Sequence, residues 1–125
     1  MDGEAKGGCS ARDFLIYTHE IEKLHKGGVV LNIGSAVTGP EVFLKAASMT
    51  GNVGRVPKGI ITADFDIRPF KREHITDETR VGYYYRDQKS IVVRVPEAYN
   101  GTGYYIEGNQ KQTIPAFYKK ICARM

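Results

Sequence analysis

The chain reads as an α/β domain, a Rossmann-like three-layer fold built on an open, mainly parallel sheet. Three observations predict this. Val29-Val30-Leu31-Asn32-Ile33 is short, rich in β-branched residues and bounded by glycines, as a fully buried strand should be. A helical pattern follows from Thr38, and Ile60-Ile61-Thr62-Ala63-Asp64-Phe65-Asp66 then supplies a second apolar strand. A helix between two such strands is a crossover, which makes the strands parallel neighbours.

Residues 1–9 read as a flexible lead and residues 10–125 as a single α/β domain. Ser10 followed by Asp13 has the form of a helix cap with an acid in the first turn. The spacing predicts a helix from about Ala11 to Lys26, with Phe14, Leu15, Thr18, Ile21, Leu24 and His25 on one face and Gly27-Gly28 ending it. After the first strand, Thr38 and Glu41 stand at capping-box spacing, and Pro40 suits a first turn, where its missing N–H is no loss. Val42, Phe43, Ala46, Ala47 and Met49 supply that helix's packed face.

The second half is less regular. Arg68 to Arg80 reads as a polar connection. Tyr83-Tyr84-Tyr85 and Ile91-Val92-Val93-Arg94-Val95 are β-rich, as a hairpin or as two separate extended pieces. Tyr99 to Gly108 reads as a turn-rich loop. A last helix is expected from Thr113, with Pro115 in its first turn and Ile114, Phe117, Tyr118 and Ile121 as its face.

A chain of 125 residues supports one core. The net charge is +4, with the 18 Lys and Arg scattered rather than in runs, so nucleic acid is permitted but not indicated. Cys9 and Cys122 lie near opposite ends without a C-x-x-C motif, and two reduced thiols are the default reading. Residues 1–8 lack the apolar core of a signal peptide, and no apolar run approaches a membrane span. A cytoplasmic location, away from membranes, is the expectation. The uncovered edges of so small a sheet predict a homodimer.

The strand–Gly34-Ser35–helix turn is the leading site candidate. It aims backbone N–H groups and the positive end of a helix dipole at the carboxyl end of a strand, which suits a phosphate or carboxylate. Gly34 allows close approach, Ser35 offers a hydroxyl, and Thr38 and Gly39 add N–H groups. The plainer alternative is that any crossover needs such a turn and a cap. No Gly-Lys-Ser/Thr follows, and Gly34 and Gly39 do not spell the dinucleotide fingerprint. Asp64 and Asp66, two apart on a strand, point the same way and could face a ligand ribose or a metal; the plainer reading makes them solvated strand-end acids or partners for Arg68 and Lys71. No third ligand stands at a readable metal spacing. Asn100-Gly101-Thr102-Gly103-Tyr104-Tyr105 could be a second loop over the ligand, its tyrosines stacking on a base or sugar, or a Tyr-rich turn that merely packs on the sheet. Tyr83 to Tyr85 with Arg86, Lys89 and Arg94 resembles a stacking-plus-charge surface, although alternating strand faces would bury some of the rings. His19-Glu20 is followed by Lys23 where H-E-x-x-H needs its second His, and no G-x-S-x-G surrounds Ser35.

Ser10 to Thr18, the run Gly34-Ser35-Ala36-Val37-Thr38-Gly39-Pro40-Glu41-Val42-Phe43-Leu44-Lys45-Ala46, and Thr62 to Asp66 resemble the carboxyl-terminal half of a little-characterised prokaryotic Rossmann-like α/β family. The likeness spans most of residues 8–121 and implies no particular activity. It does imply an additional amino-terminal half, so a shortened product or fragment is expected. Val29 to Ala36 is also loosely similar to the NAD-binding domain of the deoxyhypusine synthase and sirtuin type, which implies NAD or another nucleotide as ligand. The Gly-Ala-Gly-x-Ser motif that opens such domains is absent, and no catalytic His or Lys is readable. Two functions follow as expectations. One is binding of a nucleotide or phosphorylated metabolite through Gly34, Ser35, Thr38, Gly39, Asp64 and Asp66. The other is a non-catalytic interaction or oligomerisation module.

Overall fold

The computed structural model describes residues 2–125. Helix α1 (Gly3–Glu22) leads into β1 (Val29–Ile33), α2 (Thr38–Asn52) and β2 (Ile61–Asp66). Two 3-10 turns follow, Arg72–Ile75 and Val81–Tyr84, then a π-helical stretch, Gln88–Arg94, that continues into α3 (Val95–Ala98). Strand β3 (Thr102–Glu107) and helix α4 (Gln110–Cys122) complete the chain. The sheet has the order β1-β2-β3 and both pairings are parallel, as a strand–helix–strand crossover demands. Asn32 stands opposite Asp64, and Asp64 opposite Tyr105.

The core lies between the sheet and the helices α1, α2 and the π-helical stretch, where Ile21, Phe43, Ala46, Ala47, Ile60, Ile91 and Val95 form one buried cluster. Thr62 on β2 donates its hydroxyl to the Ile91 carbonyl, tying the π-helical stretch to the central strand. Gly103 lets β3 approach equally closely, because a Cβ there would run into the Val92 backbone. On the opposite side α4 packs against the sheet. Phe117 meets Phe65 edge-to-face with ring centroids 5.6 Å apart.

Several expectations are corrected. Helix α1 starts eight residues before Ala11, capped by Asp2, whose carboxylate accepts from the Glu4 N–H at 3.0 Å; Ser10 lies inside the helix. Phe14, Tyr17 and Ile21 carry its packed face, and Leu15 and His25 are exposed. Spacing explains this, since Tyr17 and Ile21 lie three and seven residues from Phe14 and Leu15 does not share that stripe. β1 is an edge strand, not a fully buried one: Val29 is 53% and Leu31 39% exposed. In α2, Val42 and Met49 face outward while Thr50 is buried.

The β-rich segments became helical. Tyr83 and Tyr84 belong to a 3-10 turn, and Ile91 and Val92 to the π-helical stretch, where burial against β2 and β3 outweighs strand propensity. The presumed loop from Tyr99 contains β3, which starts at Thr102. Helix α4 begins at Gln110, capped by Asn109, so Pro115 lies inside it rather than in its first turn, and none of its residues is buried.

Candidate functional site

The site is assembled at the carboxyl edge of the sheet from the ends of β1 and β2 and the segments that follow them. Gly34 takes φ +64°, a conformation that glycine adopts without strain, and turns the chain out of β1. Ser35 then caps α2: its Oγ accepts from the Gly39 N–H at 2.8 Å. This replaces the capping box read from Thr38 and Glu41. Thr38 is the first helical residue, Val37 in the cap position makes no side-chain bond, and Glu41 reaches Arg86 at 2.8 Å. The Gly39 N–H is therefore committed within the turn. Gln110 fills the space beside Gly34, and its Nε2 donates to the Phe65 carbonyl at 3.2 Å.

Asn32 binds the turn to β2. Its Nδ2 donates to the Ser35 carbonyl at 2.8 Å and to Asp64 Oδ1 at 2.7 Å. Asp64 is 0% exposed, and its Oδ2 has no hydrogen-bond partner. Burial pushes its carboxyl up to about 7, opposed by the Asn32 hydrogen bond and reinforced by the nearby Asp87 and Asp66 charges. Asp87 is equally hidden, at 1% exposure, with Oδ1 unpartnered, and burial raises it too.

Arg68 spans this cluster. Its guanidinium pairs with both Asp66 and Asp87 and lies 4.3 Å from the centroid of the Tyr85 ring. For Asp66, burial pushes upward, but hydrogen bonds from Arg68 and the Ile67 N–H outweigh it and hold the carboxyl below the usual range. Tyr105 donates its hydroxyl to the Arg68 carbonyl, fixing the backbone beneath the guanidinium, and burial pushes that phenol up to about 12. Gln88 supports it, donating to Tyr105 Oη at 3.3 Å and to the Pro69 carbonyl at 3.2 Å.

The predicted residues Gly34, Ser35, Thr38, Gly39, Asp64 and Asp66 all lie at this one edge. The Gly101–Gly103 loop does not join them. It opens β3, whose Thr102 pairs with Ile61, and so sits at the amino edge. Sequence reasoning missed Asn32, Asp87, Gln88 and Gln110; Tyr105, expected to stack on a base or sugar, instead donates its hydroxyl to the Arg68 carbonyl. Only Asn32 carried a signal, an amide inside an otherwise apolar strand. Among the described residues no group of three or more His, Cys, Asp and Glu is placed to hold a metal ion.

Fold and site together define a mixed α/β protein with an open parallel sheet and a partly unsatisfied polar network at its carboxyl edge. No protein-family model, curated protein or solved structure matches this chain. Among the described residues no helix is long and apolar enough to cross a membrane.

Proposed function

We propose that this chain is a Rossmann-like, cytoplasmic domain that binds a nucleotide or phosphorylated metabolite at the carboxyl edge of its sheet. The observation that carries this reading is the pair of buried carboxylate oxygens, Asp64 Oδ2 and Asp87 Oδ1, that have no donor. Buried polar atoms are nearly always bonded, and leaving one unmade costs about 1–3 kcal/mol. A ligand hydroxyl entering beside Asp66 would supply the missing partner, accepting from Asp64 while it is protonated and donating once it is ionised, as sugar hydroxyls bond strand-end acids in open α/β folds. The phosphate would meet the amino end of α2 near Ser35 and Thr38, where the helix dipole favours negative charge. Asn32 keeps that turn in register with Asp64, so the hydroxyl and phosphate subsites are preorganised.

A thermal-shift screen against NAD, other nucleotides and phosphosugars tests this, because a ligand of the folded state raises its stability by mass action. One ligand should stabilise the parent, and Asp66→Asn and Ser35→Ala should each weaken that effect. If no member of the panel does so, the reading is wrong.

A second reading, an oligomerisation module, is favoured by a different observation. Val29, Leu31, Ile61, Phe65, Tyr104 and Phe117 line an open groove of about 810 Å3 on the face that α4 half covers. Parallel sheets are ordinarily covered on both faces, and β1 leaves its edge unpaired as well. A second copy of this chain presents the same apolar face, and packing the two faces together about a twofold axis would cover both copies. Sedimentation equilibrium distinguishes this dimer from a monomer.

A further inference from the structure

We infer that the chain has a second anion site, distinct from the carboxyl edge, in which Lys45, Lys89 and Arg94 hold a phosphoryl group. The three cations come from two elements. Lys45 stands on α2, while Lys89 and Arg94 stand on the π-helical stretch; together with Tyr83 and Ser90 they line a cavity of about 340 Å3. Among the described residues none of the three is ion-paired with a carboxylate, and the one acid lining the cavity, Glu41, is engaged by Arg86. The other nearby acid, Glu78, accepts from the Tyr83 hydroxyl at 3.0 Å. The cavity therefore keeps a surplus of positive charge.

Lys89 is the centre of the arrangement. Its ammonium lies 3.3 Å from the centroid of the Tyr83 ring and donates to the Tyr83 carbonyl at 3.3 Å, which fixes a normally mobile side chain. Loss of water around Lys89 and the proximity of Arg94 both hold its pKa below the usual lysine value, so the cations repel one another in the unliganded protein. An anion between them would relieve that repulsion. Ser90, only 3% exposed, places a hydroxyl-bearing residue in the lining. Two ammonium groups, a guanidinium and a hydroxyl converging on one cavity suit the several oxygens of a phosphoryl group. Because Lys89 already covers the Tyr83 face, base stacking on that ring is not part of the site. The ligand class is a phosphate monoester or a short polyphosphate, recognised by its phosphoryl charge.

Titrating inorganic phosphate and pyrophosphate against matched ionic strengths of chloride tests the inference by calorimetry. Both should bind the parent chain, pyrophosphate more tightly. Lys45→Gln and Arg94→Gln, two exposed positions, should each weaken binding at least about tenfold while leaving the unliganded melting temperature near that of the parent. Lys89→Gln should abolish it, with circular dichroism confirming the fold. Ser35→Ala should leave unchanged the binding component that Lys89→Gln removes. No heat beyond the chloride control would overturn the inference. So would weakening by Ser35→Ala with none from Lys45→Gln and Arg94→Gln, which would move the phosphate to the carboxyl edge.

Discussion

Asn32 and Asp64 face each other in the β1–β2 register, and the 2.7 Å bond between Asn32 Nδ2 and Asp64 Oδ1 links the two strand ends through their side chains. It satisfies only half of the carboxyl group, and the pH dependence of folding should report the other half. The folded state holds a proton on Asp64 up to about 7, whereas the ordinary value is 3.8. Between these two pH values the unfolded chain binds fewer protons than the folded one, so stability falls as pH rises through that window. The buried Asp87, raised in the same direction, adds to the slope. Urea unfolding of the parent should lose on the order of a few kcal/mol between pH 4 and pH 8. Asp64→Asn cannot ionise and should show a flatter curve, with its largest advantage at pH 8. Parallel curves would mean that Asp64 is not protonated in the folded protein.

The Ser35 cap makes a smaller, separable contribution. Ser35→Ala leaves the Gly39 N–H without its acceptor and should cost about 1 kcal/mol, the usual worth of a helix cap. Gly39→Ala tests the same geometry from the other side. Its new Cβ would lie 2.8 Å from both Asn32 Oδ1 and Ser35 Oγ, so the turn must shift and the loss should exceed that of Ser35→Ala. Denaturant midpoints rank the two, and a Gly39→Ala protein as stable as the parent would contradict the packing around the turn.

What was legible in the sequence was local. The β-branched run at Val29, the turn at Gly34 and the apolar run at Ile60 declared two strands, a helix and their parallel pairing, because each signal lies within a few residues of what it specifies. The convergence of Gly34, Ser35, Asp64 and Asp66 followed from that crossover alone. What was hidden depends on contacts distant in sequence. Ile91 and Val92 carry strand-like side chains, yet they are wound helically because β2 and β3 bury them. Asp87 is tied to the site by Arg68, 19 residues earlier, and Gln110 reaches Gly34 because β3 returns the chain beside β2. Val29 and Leu31 misled for the same reason: an apolar strand announces a face to be covered, but not whether the same chain covers it.

Arg68 balances Asp66 and Asp87, and the three should behave as a unit. Arg68→Gln keeps hydrogen-bonding capacity but removes the charge, leaving Asp87 buried without a counter-ion. A loss of about 3–5 kcal/mol at pH 7 is the usual cost of breaking a buried pair from one side. Acidification should recover part of it, since a protonated Asp87 needs no cation. Asp87→Asn in the Arg68→Gln background should recover much of the loss at pH 7 as well. If the double variant is as unstable as Arg68→Gln alone, the guanidinium acts through its contact with the Tyr85 ring instead.

The uncovered sheet face makes the last prediction. Leu31 is 39% exposed on an edge strand, and its neighbours in the groove, Val29 and Tyr104, are more exposed still. A lysine at Leu31 can keep its ammonium in water while its stem lies on the sheet, so Leu31→Lys should cost the isolated fold little. In a twofold dimer the same substitution places two ammonium groups in an apolar interface, where neither has a partner, and desolvating each is costly. The parent should therefore sediment as a dimer at tens of micromolar concentration and Leu31→Lys as a monomer with a nearly unchanged circular dichroism spectrum. Ser48→Lys, on the exposed surface of α2 away from the groove, is the control and should remain dimeric. A parent that stays monomeric at that concentration would remove the oligomerisation reading, and a Leu31→Lys protein that still dimerises would place the contact on another face.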